Sequence, residues 1–322
     1  MDLSIIIVNY RGWSKLRVCL DALSGFSQDI FSHEVVIVDN NSNDGVVGDF
    51  IREFPSFRFI LNDINGGFAY GCNIGAVQSS GKSLLFLNPD TVASEDAIGR
   101  LLEKSLNFPR NLISCSQKDD KGKFTPAYGQ FLSPGKITGT GRAIASLIHP
   151  SGHTANPLSP DWISGSLIMV SREFFREIGG FDEDFWMYYE DMDLCFRARQ
   201  AKGEILYFTD FSIEHKHGGS SRIDITTTAL TKTEVLKSKH VYISKHFTPA
   251  AAFLAHSIII AGNITGGIIL FLPGIIFFFI PALLVRTFIF IRLTGYYITA
   301  VRSRSWVSRR SVNWPVKSKT EK

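Results

Sequence analysis

Residues 185–199 read FWMYYEDMDLCFRAR and place three carboxylates, Glu190, Asp191 and Asp193, within four positions. Acids at the start of a helix complement its macrodipole. Beside Phe185, Trp186, Tyr188 and Tyr189 a second use opens, because a partly desolvated carboxylate gains proton affinity and can act as a general base. The stretch LFLNPDT (85–91) carries Asp90 out of an apolar run. One carboxylate there can bind Mg²⁺ or Mn²⁺ that also takes oxygens from a substrate diphosphate, or the stretch is a turn followed by a helix cap. IEHKHGGSS (213–221) offers His215 and His217 as imidazole ligands beside a glycine turn, and alternate residues of a strand point the same way. Asp39 opens DNNSNDG, where a carboxylate can accept from a base N–H or a ribose hydroxyl; a plain strand-to-helix turn explains it as well. NGGFAYGCNIG (65–75) spaces Gly67, Gly71 and Gly75 by four, on one helical face, for close approach to a strand or a diphosphate. Packing is the expected role of Gly71 and Gly75, whereas ligand contact stays open for Asn65, Gly67 and Asn73.

These groups need elements to position them. LSIIIVNY (3–10), HEVVIVDN (33–40), FRFILN (57–62) and KSLLFLN (82–88) read as strands, with helices between the first pair and after Gly67 and Ser94. Unbroken β-branched runs suit parallel strands buried on both faces, and their alternation with helices predicts βαβ crossovers in a Rossmann-like α/β sheet. Ligands bind beyond the carboxyl ends of such strands. Asn9, Asp39-Asn40-Asn41-Ser42, Asn62 and Asn88-Pro89-Asp90 all fall at those ends. Residues 111–160, rich in Gly, Ser, Pro and Thr, read as loops around the acceptor side. DWISGSLIMV (161–170) reads as a strand and SREFFREIGG as a capped short helix ending at Gly179.

Composition divides the chain of 322 residues. From Lys232 onward 13 Lys and Arg face two acids, a charge of +11, while residues 1–231 hold 21 basic against 28 acidic residues, or −7. The boundary predicts a catalytic domain over 1–231 and a tail over 232–322. Ala250–Val285 contains no Asp, Glu, Lys or Arg in 36 residues, long enough to contact a membrane as a helical hairpin around 250–292, turning at Pro273-Gly274 with Pro281 as a second kink. Basic residues on both flanks predict that both ends face the cytoplasm and anionic headgroups, a simpler use of the charge than nucleic acid. Asp2 stands where a signal peptide would carry basic residues, so the acidic part is expected in the cytoplasm. Cys19, Cys72, Cys115 and Cys195 form no C-x-x-C pair and are expected to be reduced packing residues.

Taken together, SIIIVNY, VIVDNNSND, NGGFAYGCNIG, FLNPDT, SGSLIMVSREFFREIGGFDEDFWMYYEDMDLCFRAR and HKHGGSS resemble the family 2 inverting glycosyltransferases over residues 2–222, in particular the bacterial rhamnosyltransferase-type branch that builds surface polysaccharides. The resemblance implies a GT-A fold and transfer of a sugar from a nucleotide-diphosphate donor, dTDP-rhamnose by preference, to a lipid-linked saccharide such as an undecaprenyl-diphosphate glycan. It implies Mg²⁺ or Mn²⁺ held by Asp90 with His215 as an additional ligand, and Asp191 as the catalytic base. Asn9, Asp39, Asn65, Gly67, Asn73 and Asn88 would line the nucleotide sugar. Trp162, Gly165, Trp186 and Glu190 would face the acceptor or stack on sugar. One departure is Asn88-Pro89-Asp90, which leaves a single carboxylate where the family carries Asp-x-Asp. The resemblance also admits a polyprenyl-phosphate sugar synthase or a sugar-nucleotide-binding subunit without turnover. The implied location is the cytoplasmic face of the inner membrane.

Overall fold

The computed structural model describes residues 1–137, 156–216 and 224–315. The first two apolar runs form β1 (Leu3–Asn9) and β2 (His33–Asp39), parallel and in register, so Asn9 pairs with Asp39. β3 (Arg58–Leu61) joins β2 and β4 (Ser83–Leu87) joins β1, again parallel. The crossovers are α1 (Trp13–Ser24), α2 (Val47–Glu53) and α3 (Phe68–Gln78); α2 has only seven residues, too few to show a helical period in the sequence. Side chains alternate across the sheet as the pleat requires. Leu3, Ile5 and Ile7 enter a core with α1, α2 and α4 (Glu95–Asn107), and Ile6 and Val8 enter the opposite core with α3, α5 (Arg172–Glu177) and α6 (Glu190–Gln200). The helical glycines are packing residues, as expected: a Cβ on Gly71 would lie 2.7 Å from Val8, and one on Gly75 2.5 Å from Ile6.

Beyond β4 the sheet becomes mixed. β5 (Thr91–Val92), β6 (Leu112–Lys118), β7 (Phe124–Thr125), β8 (Tyr128–Gly129), β9 (Trp162–Ile163), β10 (Leu167–Ser171) and β11 (Ile205–His215) follow. The order is β3-β2-β1-β4-β10-β6-β11-β5, with β7 on β6 and a separate β8-β9 ribbon. β10 runs antiparallel to β4, β11 parallel to β6, and β5 antiparallel to β11. Two expectations are corrected. Residues 111–160 are not loops throughout, for β6 is an inner strand; its Ser114 and Ser116 disguise it in the sequence yet are buried along with Ile113 and Cys115. The strand expected over 161–170 is broken in two before β10, at the turn that contains Gly165. All four cysteines are buried and free.

The chain separates into two compact units. Among the described residues, one comprises 1–131, 156–182 and 190–216, the other 132–137, 183–189 and 224–315. The second is built on α7 (Ile225–His246), α8 (Pro249–Ile276) and α9 (Pro281–Ser303). α8 and α9 are long and apolar enough to cross a membrane, and only 11% and 33% of their apolar windows are buried, unlike core helices. The expected turn at Pro273-Gly274 lies instead inside α8, and the chain turns at residues 277–280, where the Ile280 N–H donates to the Phe277 carbonyl. Pro281 opens α9 because its ring presets φ and the missing N–H is unpaired at that position anyway. Residues 183–189, immediately before α6, belong to this helical unit. Ser238 Oγ donates to the Met187 carbonyl (2.8 Å), Ser311 Oγ to that of Glu183 (2.6 Å), and Lys245 pairs with Asp184 at 2.6 Å. In the same segment Tyr188 and Tyr189 adopt consecutive left-handed conformations, φ 69° each.

Candidate active site

The acidic first turn of α6 divides its carboxylates between structure and chemistry. Asp193 is almost wholly buried and accepts from Arg197 Nε one turn later (2.8 Å), a structural pair. Asp191 accepts from the backbone N–H of Gly165 (3.0 Å) and of Met192 (2.8 Å). Glu190 is buried, and among the described residues its Oε2 has no hydrogen-bond partner. Burial pushes the Glu190 carboxyl well above the ordinary range, and the Asp191 charge adds to it. Burial also raises Asp191, but the N–H groups of Gly165 and Met192 oppose the rise. The upward push is therefore stronger on Glu190 than on Asp191, whose backbone donors favour its carboxylate form. Glycine at 165 permits the approach, since a Cβ there would lie 3.2 Å from the Phe68 ring and 3.6 Å from the Asp191 Cβ.

At the end of β4 the chain turns at Asn88, whose carbonyl accepts from the N–H (3.2 Å) and hydroxyl (2.7 Å) of Thr91. That turn presents Asp90 to His215 at the end of β11, beside the Thr91–His215 pairing of β5 with β11. His215 Nε2 lies 3.2 Å from Asp90 Oδ1, and Lys15 Nζ lies 3.7 Å from Oδ2. Burial raises the Asp90 carboxyl, yet His215 and the Lys15 charge outweigh it and hold it below the ordinary carboxylate range. His215 Nδ1 sits 2.7 Å from Gln117 Oε1, while Gln117 Nε2 donates to Ser166 Oγ (2.9 Å). Among the described residues Asp90 Oδ1 is buried with no partner in hydrogen-bonding geometry, and the His215 ring nitrogen Nε2 is the polar atom beside it. A carboxylate oxygen and an imidazole nitrogen this close are ligand types that could share a cation. One carboxylate and one imidazole, the latter held from behind by Gln117, are residues that would hold Mg²⁺ or Mn²⁺ beside a substrate diphosphate. Among the described residues no group of three or more His, Cys, Asp or Glu forms a closed metal cage. His217 lies outside the described residues.

The remaining expected residues are brought to the same strand ends with different freedom. Asp39 accepts from the Ser42 N–H (3.0 Å) and hydroxyl, and Asn9 Nδ2 lies 3.4 Å from it. Asn9 also accepts from the Gly12 N–H (3.1 Å), so both residues close turns at the rim. Asn65 accepts from the Gly67 N–H (3.2 Å), and Gly67, at φ 94°, caps α3 in a conformation that suits glycine. Two expectations need correction. Asn73 makes a two-point tie to the Phe181 backbone, 2.8 Å and 2.9 Å, which uses its amide for structure. Trp186 belongs to the helical unit and is buried, with the Arg310 guanidinium 5.1 Å from its ring centre, so no face is open to stack on a sugar. Trp162 is half-buried, its indole N–H donating to the Gln130 carbonyl (3.1 Å). Sequence reasoning missed Lys15, Gln117 and Ser166. Gln117 lies near the end of a strand of the same sheet, but the serines of β6 make that strand read as a loop in the sequence.

Comparison with known proteins places this geometry in context. Residues 4–179 match the family described as glycosyl transferase family 2, and residues 153–217 match that described as the N-terminal domain of galactosyltransferase. Over 208 residues the chain is 31% identical to a low-salt glycan biosynthesis hexosyltransferase of Haloferax volcanii, a match covering 62% of each chain. Over 244 residues it is 26% identical to an N-acetylglucosaminyl-diphospho-decaprenol L-rhamnosyltransferase of Mycobacterium tuberculosis, covering 69% of this chain and 78% of that one. The rhamnosyltransferase WbbL of Escherichia coli is 23% identical over 221 residues, 66% of this chain and 82% of its own. Among solved structures, GalNAc-T7 with UDP, GalNAc and Mn²⁺ superposes with a TM-score of 0.54 at 16% identity, over 76% of this chain and 50% of that one. The TarS 1–349 structure of S. aureus with UDP-GlcNAc gives 0.53 at 14%, over 78% and 69%. At such identities the structural likeness shows the fold, a GT-A sheet with flanking helices.

Proposed function

The chain belongs to glycosyl transferase family 2, and on that premise we propose that it moves a sugar, with inversion, from a nucleotide-diphosphate donor to a lipid-linked saccharide. The observation that carries this reading is the Glu190–Asp191 pair, a buried acid with a raised pKa beside a carboxyl that accepts from the N–H groups of Gly165 and Met192. Inversion is one in-line displacement. Asp191 takes the proton of the acceptor hydroxyl, that oxygen bonds the anomeric carbon, and the bond from that carbon to the diphosphate breaks on the opposite face. No covalent enzyme intermediate forms, so one base is enough. Burial favours the protonated form of Glu190, which adds no second negative charge to raise the proton affinity of Asp191 further. Asp90 and His215 would hold Mg²⁺ or Mn²⁺, which neutralises charge on the departing diphosphate. Lys15, beside Asp90, adds a fixed positive charge at the same place.

The donor proposed is dTDP-rhamnose, and the product part of a cell-surface polysaccharide. This rests on the likeness to rhamnosyltransferases of Mycobacterium tuberculosis and Escherichia coli. The work is proposed to take place at the cytoplasmic face of the membrane, with residues 1–231 as the catalytic domain and 232–322 as the anchoring tail. Donor binding and hydrolysis by the full chain, measured across dTDP-rhamnose and UDP-, GDP- and CMP-sugars with Mn²⁺, Mg²⁺ or EDTA, test it. Metal-dependent use of one donor supports the reading. Failure to bind any donor removes it.

A further inference from the structure

Within the helical unit, α7, α8 and α9 enclose an open groove of about 770 Å³. Its floor on α8 is nearly bare: Gly262 and Gly266 have nothing within 4 Å of where a Cβ would stand. The neighbouring glycines do the opposite. A Cβ on Gly267 would strike the Phe290 ring at 2.0 Å and one on Gly274 the Thr287 hydroxyl at the same distance, so these two bring α8 and α9 together. Glycine therefore serves contact at 267 and 274 but leaves room at 262 and 266. Leu270, Val285 and Phe290 make the walls apolar.

Two cations line the same groove, Lys232 on α7 and Arg286 on α9. Both are exposed, and neither has an ion pair among the described residues. Arg286 lies early in a helix long and apolar enough to span a membrane, where an unpaired guanidinium is costly and marks a site for an anion. Asp224 also lines the groove, but as the cap of α7 its carboxylate already accepts from the Thr227 N–H (2.7 Å) and the hydroxyls of Thr226 and Thr227. Two free cations above an apolar trough floored by a single helix are complementary to a lipid with one long chain and a phosphate head.

We propose that this groove binds the isoprenoid chain and phosphate of the lipid-linked acceptor, an inference that rests on the acceptor class proposed above. The apolar chain lies over Gly262 and Gly266, and Lys232 and Arg286 take the phosphate oxygens. The tail is then a substrate-binding element in addition to an anchor.

The test is saturation binding of a long-chain polyprenyl phosphate to the full protein in phosphatidylcholine nanodiscs, without donor, with phosphatidylglycerol as competitor. Saturable binding at one site that phosphatidylglycerol displaces poorly is expected. Gly266→Leu fills the open floor, and Lys232→Gln with Arg286→Gln removes the cations; each is expected to weaken binding about tenfold or more. Ile268→Phe, on the exposed face of α8 opposite Gly262 and Gly266, should bind as the parent does. Equal displacement by phosphatidylglycerol, or parental binding by both the Gly266 variant and the double variant, overturns the proposal. Circular dichroism confirms that each variant is folded. Because the assay uses no sugar donor, lipid binding without sugar transfer upholds the groove and removes the transfer reading. Sugar transfer with unaltered lipid binding by the groove variants removes the groove alone.

Discussion

Replacing Asp191 by Asn tests the proposed chemistry with little change of shape. The amide keeps an oxygen that can accept the Gly165 N–H, now at 3.0 Å, so the start of α6 keeps its place and only the proton acceptor is lost. A positioned general base is worth about 10²- to 10⁴-fold, or about 2.7 to 5.4 kcal/mol of transition-state stabilisation. Turnover of Asp191→Asn should fall by that factor while donor binding, followed by calorimetry, stays within about twofold. The parent enzyme adds a second readout. Only ionised Asp191 accepts a proton, and burial raises its pKa above the ordinary 3.8, so kcat/KM should fall on the acid side with a limb above pH 3.8. That limb should be missing from the residual rate of the variant. Turnover within about threefold of the parent, or an unchanged acid limb, would refute the assignment of Asp191 as base.

Glu190→Gln should raise Tm at pH 7 to 8 and leave it unchanged near pH 4, because a carboxyl whose folded pKa lies above its unfolded value stabilises the fold at low pH and loses that contribution as pH rises; equal shifts at both pH values would contradict the buried, raised Glu190. Gln117→Leu removes the acceptor behind His215, so the Mn²⁺ concentration for half-maximal activity should rise about 10- to 100-fold with donor binding in excess Mn²⁺ retained, and an unchanged metal titration would separate Gln117 from the metal. Gly75→Ala forces a methyl to 2.5 Å from Ile6 and should lower stability by about 1 to 3 kcal/mol, read as a lower urea midpoint at constant m-value. The full chain should stay in the membrane pellet after carbonate washing and leave it in detergent; recovery in the carbonate supernatant would refute the anchoring role of α8 and α9.

The half of the sheet from β3 to β4 was readable because each strand is a continuous apolar run bounded by turn residues, and its rim followed from the strand ends. The other half was hidden. β6 interleaves serines with apolar residues, and β11 carries Thr209, Asp210 and Ser212 through a bulge, so neither shows a strand period. Gln117 and Lys15 went unread with them, being ordinary polar residues until the sheet order brings them to Asp90 and His215. In the tail, composition marked the apolar segment, but the position of its turn depends on Gly274 meeting α9, a contact that local proline chemistry does not encode.

Residue types in order thus determined, without any structure, the parallel half of the fold, because it depends on local period, while the resemblance carried by the motifs supplied the family, the candidate base and the candidate metal ligands. Tertiary structure decided which acid of the Glu190–Asp191 pair is buried and which accepts an N–H donated from residue 165. It also decided that Asn73 and Trp186 serve packing and that residues 183–189 belong with the helical tail. Desolvation and hydrogen bonding are properties of neighbours far apart in the chain, and only folding supplies them.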